Sequence, residues 1–161
     1  MGELTSGREK AAYHREVADA QADVEQHHTK LEAAAAVNKL RQFIGKTQIR
    51  CLSDLCRGEE RQYFIDKLCA LAELVSTMPK TYEQDGLGKE AIAYLHYFTS
   101  GTDHYITEKD MEAEQHQAFG SANIGYGPEL GYISIVELLS CGAELDLYFE
   151  PKTLATIEDR K

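Results

Sequence analysis

The chain has 161 residues, 17 Lys and Arg against 27 Asp and Glu, and a formal net charge of −10. An apolar share of 43% and a charged share of 27% are globular values, so wholesale disorder and collagen-like repeats are excluded. The charge is uneven: residues 1–80 carry 12 basic and 12 acidic side chains and residues 81–161 carry 5 and 15, which disfavours direct binding of nucleic-acid phosphates by the second half, since that runs on Lys and Arg.

The first half reads as helix. Ser6-x-x-Glu9 has the spacing of a capping box. From there to Ile44 no Pro intervenes and, after Gly7, no Gly, so one long helix is expected. Val17, Val24 and Leu31 recur every seven residues, with Ala20, His27 and Ala34 interleaved. That seam is too narrow to be a core by itself and calls for a partner helix, from this chain or from a second copy. Val37, Leu40 and Ile44 continue the apolar face, and Gly45 is a natural residue just beyond the helix end. A short helical stretch with Ile49, Leu52 and Cys56 (or Leu55) breaks near Gly58. Phe64, Leu68, Leu71, Val75 and Met78 then step by four and three, an amphipathic helix that Pro79 stops. The adjacent His27 and His28 point about 100° apart on a helix, so they read as solvated residues rather than a chelate.

Residues 81–90 form a loop with turn formers Asp85-Gly86 and Gly88, and the charge shift places the architectural boundary there. A small antiparallel sheet follows. AIAYLHYFT at 91–99 is a strand, SGTD a turn, and His104–Thr107 a second strand ended by a charged loop from Glu108 to Gln115. Gln117–Ile124 is a third strand with Gly120 inside it, GYGPE at 125–129 a turn around Pro128, and Leu130–Ile133 a fourth strand. Ser134-x-x-Glu137 caps a short helix ending at Gly142. Glu144–Phe149 is a last strand, with Leu145, Leu147 and Phe149 on one face, stopped by Pro151. The expected class is α+β: a helical segment over 1–80, made of a long helix and a helical hairpin, then an acidic antiparallel-sheet domain over 81–161 with one short helix.

Four cysteines, at 51, 56, 69 and 141, lack zinc-finger spacing; three sit in apolar, helix-like text where a thiol behaves as a small hydrophobe, core packing is the default reading, and the usage points to a cytoplasmic protein. The first ten residues lack the apolar run of a signal peptide, and no stretch has the length of a membrane span. No HExxH, GxSxG, Walker A or GxGxxG motif occurs. No catalytic residue, metal or cofactor is therefore expected.

The segments YLHYF, HYITEKD, AFG, GYGPELGYISIVEL and GAELDLYFEPKTL, in that order over residues 94–154, resemble the domain of unknown function 2958 family. Its members are small proteins of bacterial plasmids, phages and conjugative elements. The resemblance implies work in transfer, maintenance or counter-defence, and brings no established activity. One position departs: the family strand usually reads D-W-Y-I-T-E, and His104 stands where that Trp would be.

The chain is thus expected to be a non-enzymatic acidic interaction protein of a mobile genetic element. An anti-CRISPR or antirestriction inhibitor that binds protein and partly mimics nucleic acid is the most specific version. Its partner would be a basic nucleic-acid-handling host protein, met through Glu108, Asp110, Glu112, Glu114, Glu129, Tyr132, Asp146 and Glu150. The competing reading is a small metal-dependent hydrolase or nuclease using carboxylates of the sheet half. His96, amid aromatics in a strand, reads as a packed, hydrogen-bonded residue rather than a base.

Overall fold

The computed structural model describes residues 27–160, so the Ser6/Glu9 capping box, most of the Val17/Val24 seam and the pairing expected of it lie outside the described residues. Among the described residues, three helices precede the sheet: α1 (Lys30–Leu40), α2 (Lys46–Leu55) and α3 (Arg61–Thr77). The expectation of one helix running through to Ile44 is corrected. Thr29 is an N-cap: its hydroxyl accepts from the Glu32 N–H while Glu32 accepts from the Thr29 N–H, a complete capping box. His27 and His28 therefore precede the helix, and Asp66 of α3 accepts from the His28 N–H at 2.8 Å. Leu31 is 82% exposed, and the buried face is instead Ala33, Ala36 and Leu40. Gly45, expected beyond a helix end, is the extended N-cap residue of α2.

The sheet half holds β1 (Ile92–Ala93), β2 (Leu95–Phe98), β3 (Asp103–Glu108), β4 (Ala118–Asn123), β5 (Pro128–Ile133), α4 (Ile135–Ser140), β6 (Glu144–Leu145), β7 (Lys152–Thr153) and α5 (Leu154–Glu158). Five strands form one antiparallel sheet in the order β5-β4-β3-β2-β6, and β1 pairs with β7 separately. The mixed helix-and-antiparallel-sheet class expected from sequence is the class observed. Several boundaries differ. Residues 91–99 make two strands, not one, and Pro128 opens β5 rather than sitting in the turn. Asn123 closes that turn, its side-chain oxygen accepting from Gly125 and Gly127, and both glycines have positive φ. The last strand stops at Leu145 because the Asp146 side chain accepts from the Tyr148 N–H and bends the chain. A second short helix, α5, follows beyond Pro151, capped by Thr153. Helix α4 has its Ser134 N-cap and ends in a Schellman motif: Ala143 N–H bonds Leu138 O, and Gly142 N–H, at φ +82°, bonds Leu139 O.

Side chains from both sides of residue 80 share one core. Leu40, Phe43, Ile44, Leu52, Leu68 and Val75 of the helical half pack with Leu95, Tyr97, Ile106, Ala118, Ile133 and Leu145 of the sheet. Tyr97 is fully buried, and its hydroxyl donates to the Phe43 carbonyl at 2.6 Å; burial pushes its pKa far up. Gln48 of α2 donates to the Leu145 carbonyl at 2.8 Å and accepts from the Leu145 N–H at 3.0 Å. Its amide thus takes the place of a neighbouring strand along β6. Lys109 donates to the carbonyls of Val75 and Ser76, closing the carbonyl end of α3 with a cation, where a cation is favoured.

Two core positions carry consequences. A Cβ added at Gly120 would lie 1.9 Å from the Tyr105 backbone oxygen, a contact no side-chain rotation relieves. Gly120→Ala is expected to destabilise the fold by about 1–3 kcal/mol through forced backbone shifts, read as a lower urea midpoint. His104 is 9% exposed and its Nδ1 has no hydrogen-bond partner. Burial, opposed by Asp103 and assisted by His96, lowers its pKa. The unfolded chain then binds this proton more readily, so stability falls as pH drops below the ordinary histidine value of about 6.5. His104→Phe should gain about 1 kcal/mol at neutral pH by removing the orphaned nitrogen. The gain should widen between that value and the lower folded pKa, measured by denaturation at a series of pH values.

Candidate functional site

The sheet has two faces. Leu95, Tyr97, Ile106, Ala118 and Ile133 turn toward the helices. The opposite face, from β3 to β5, carries Tyr105 and Thr107, then Phe119, Ser121 and Asn123, then Pro128, Leu130 and Tyr132. It is covered in part by Ala91, Ala93, Leu154 and Ile157, which pack with Tyr105 and Phe149 as a second, smaller core. Two adjoining depressions remain on this face, of about 400 and 310 Å³, meeting at Leu154. A wider one of about 870 Å³, between Arg41–Cys51 and Val136–Glu144, has no aromatic lining.

The first groove is built by a β-bulge. Ile106 pairs with Gly120 but Glu108 pairs with Phe119, so one residue of β3 is extra. The slip moves Glu108 from the helix-facing side of the alternation to the Phe119 side. There its carboxylate accepts from the Tyr82 N–H at 2.5 Å and the Gln84 N–H at 3.1 Å. Gln84 adds side-chain bonds to the backbone of Ile92 and Thr107, and the Thr81 hydroxyl bonds the carbonyls of Lys109 and Gln117. The loop after α3 is thereby pinned across the sheet, and Tyr82 is held at φ +82°, where a bulky residue is a genuine outlier. Its hydroxyl lies 2.8 Å from that of Tyr132, and Tyr132 packs edge-on against Phe119 with ring centres 5.6 Å apart. That hydrogen bond, then burial and the nearby Tyr82, Asp85 and Glu108, raise the Tyr132 pKa. Asp85, Gly86, Gly88, Leu130 and Leu154 complete the walls. Among the described residues, the lining contains two carboxylates, three aromatic rings and no Lys, Arg or His.

The eight residues expected to act together are not one surface. Glu108 and Asp110 are buried and committed to backbone. Asp110 accepts from the Glu112 and Gln117 N–H groups at 3.1 and 2.9 Å. Burial alone would raise its pKa, but those N–H groups, with His116 and Met111, outweigh it and hold it below the usual range. Asp146 is engaged by His96, whose Nδ1 lies 3.1 Å from it and whose Nε2 lies 2.8 Å from Asp103. The His96 ring stacks on Tyr105 at 4.5 Å, so this cluster joins β2, β3 and the turn after β6. Glu112, Glu114, Glu129 and Glu150 are exposed, as is Tyr132. Sequence reading missed Tyr82, Asp85, Phe119 and Leu130 as site residues; an apolar Leu130 in a strand-forming stretch was the only signal available.

Among the described residues, no three His, Cys, Asp or Glu side chains are grouped to hold a metal ion, and no helix is long and apolar enough to cross a membrane. The cysteines are all free. Cys56 and Cys69 are half-buried against the core, with burial raising both thiol pKa values, whereas Cys51 and Cys141 are exposed, against the expectation of packing. No family model, curated protein or solved structure matches this chain.

Asp110→Ala should cost about 1–3 kcal/mol by stripping two backbone donors of their acceptor. Because the folded carboxyl has a lowered pKa, its contribution is full above the unfolded carboxylate value of about 4. It is lost as pH falls through the folded value. Acid titration of stability should therefore be flatter in Asp110→Ala than in the parent below that pH.

Proposed function

We propose that the chain is a non-enzymatic protein-binding module whose working surface is the open face and free edge of the acidic sheet. The observation that carries this reading is the contrast between the sheet's two edges. Gln48 satisfies Leu145 on β6, while among the described residues nothing pairs with the outer side of β5. Strand β5 presents Leu130 and Tyr132 at 51% and 57% exposure, beside Tyr82 at 59%. An unpaired edge with exposed aromatics is costly to leave bare, since it invites pairing with another chain. Tyrosine supplies rigid contact area with a polar tip, which interfaces favour.

The acidic balance of residues 81–161 directs the choice of partner toward a basic surface. With the family resemblance of residues 94–154, the partner is a basic nucleic-acid-handling protein of the host cell, and the chain an anti-defence factor of a mobile genetic element, of the anti-CRISPR or antirestriction kind. The hydrolase or nuclease reading has less support, because Glu108 and Asp110 are buried and each is held in place by two backbone N–H groups.

The test begins with affinity capture on the full chain from a bacterial lysate, with and without nuclease, where a basic partner should be recovered in both. Neutralising Glu112, Glu114, Glu129 and Glu150 in turn should then weaken that association stepwise, by about fivefold or less each, since exposed charges contribute about 1 kcal/mol or less. Raising salt should slow association further. Complete loss of the biological effect from one carboxylate, with binding unchanged, would reject the module and promote the enzyme.

A further inference from the structure

The groove beside β5 has a composition that selects its occupant, and this inference rests on the reading of that face as a protein-binding surface. Among the described residues, its walls hold the carboxylates of Asp85 and Glu108 and the rings of Tyr82, Phe119 and Tyr132, with no basic side chain. A cation is the missing complement. Aromatic faces attract a guanidinium or ammonium group within about 6 Å, and a carboxylate in a partly enclosed site adds a charge-assisted hydrogen bond. Glu108 already accepts one backbone N–H on each oxygen, and each oxygen keeps a second lone pair. Asp85 is exposed at the rim.

The second component is the edge itself. Strand β5 runs six residues with its outer side unpaired among the described residues. Tyr132 and Leu130 stand on the same face as the groove, opposite Phe119 and Ser121. A strand added along β5 would place alternate side chains over that face, next to the Tyr82–Tyr132 pair. We propose that the Tyr82–Tyr132–Asp85 groove receives an arginine or lysine side chain from an extended segment of a partner protein that pairs with the free edge of β5. The hydroxyl pair and the edge contact of Tyr132 with Phe119 hold the two tyrosine rings, and Glu108 anchors the Tyr82 backbone, so little side-chain freedom remains to be lost on binding.

The test uses the full chain, labelled with nitrogen-15, titrated with a blocked heptapeptide of alternating Thr and Val around one central arginine. A twin peptide with neutral citrulline in place of the arginine is the control. Saturable shifts are expected at the amides of Leu130, Gly131, Tyr132 and Tyr82 with the arginine peptide, about tenfold weaker with citrulline, as for loss of a charge-assisted contact. Asp85→Asn, at an exposed loop position that leaves the fold intact, should weaken the arginine peptide and leave the citrulline peptide unchanged. Tyr132→Ala should weaken both. Equal affinity of the two peptides, shifts confined to other surfaces, or no shift at millimolar peptide would overturn the proposal. So would concentration-dependent broadening of the β5 amides without peptide, which would assign the edge to a second copy of the chain. If the peptides fail while stepwise, salt-sensitive loss of partner binding persists, the groove inference falls and the acidic-module reading stands. If the arginine peptide binds but no salt-sensitive partner is found, the reverse holds.

Discussion

The carboxylate of Glu108 sits at the end of β3, buried, between the sheet and the loop that leaves α3. The two backbone donors it satisfies have no other partner to turn to, and leaving them bare beneath the loop would cost about 1–3 kcal/mol each. That requirement fixes much of what surrounds it. Tyr82 can occupy left-handed backbone because its N–H is anchored there. Gln84 can then reach the backbone of both β1 and β3. The groove exists because the loop is held across the sheet rather than collapsed onto it. A carboxylate that looks on paper like part of an acidic face is an internal strut of the face.

The same economy of polar groups decides which parts of the molecule are closed. Gln48 ends one side of the sheet with a side-chain amide that both donates and accepts. Tyr97 buries a phenol in the core by donating a hydrogen bond to the Phe43 carbonyl. Lys109 closes a helix end, and His96 ties two strands and a turn through two aspartates. His104 is the exception, buried with an unpartnered Nδ1. An indole at that position would bring apolar surface with a single donor to satisfy. Against this background of satisfied groups, the outer side of β5, unpaired among the described residues, is a feature that needs an explanation in function.

Charge works on two scales in this chain. As a sum, the −10 sets the sign of the long-range field and thereby the class of surface the protein can approach. Residue by residue, the carboxylates divide. Glu108 and Asp110 bond backbone, Asp103 and Asp146 hold His96, Glu158 pairs with Lys89 at 2.7 Å, and the exposed remainder, such as Glu112, Glu114 and Glu129, meets solvent.

Much of the architecture was legible without coordinates. The four-three stepping from Phe64 to Met78 marks a helix because burial of one face is a local, periodic demand, and Pro79 ends it for a steric reason that needs no tertiary context. Alternation along His104–Thr107 and Leu130–Ile133 announces strands in the same way. Helix entry at Thr29 was equally written, as Thr29-x-x-Glu32, but a long run without Pro or Gly masked it. What no local pattern contains is pairing. The bulge between Ile106 and Glu108 is a relation between β3 and β4, and it alone turns Glu108 onto the groove side. The end of the last strand at Leu145 depends on the Asp146 side chain accepting from the Tyr148 N–H, just after the Asp146 N–H has bonded the His96 carbonyl. The face that Tyr82 shares with Tyr132, fifty residues away, follows from that bulge, which aims Glu108 at the Tyr82 N–H. Composition and periodicity determined the helices, most strands and the acidic half. Register, and with it the site, was decided by the tertiary structure, because hydrogen bonds between distant segments carry no signature in either segment alone.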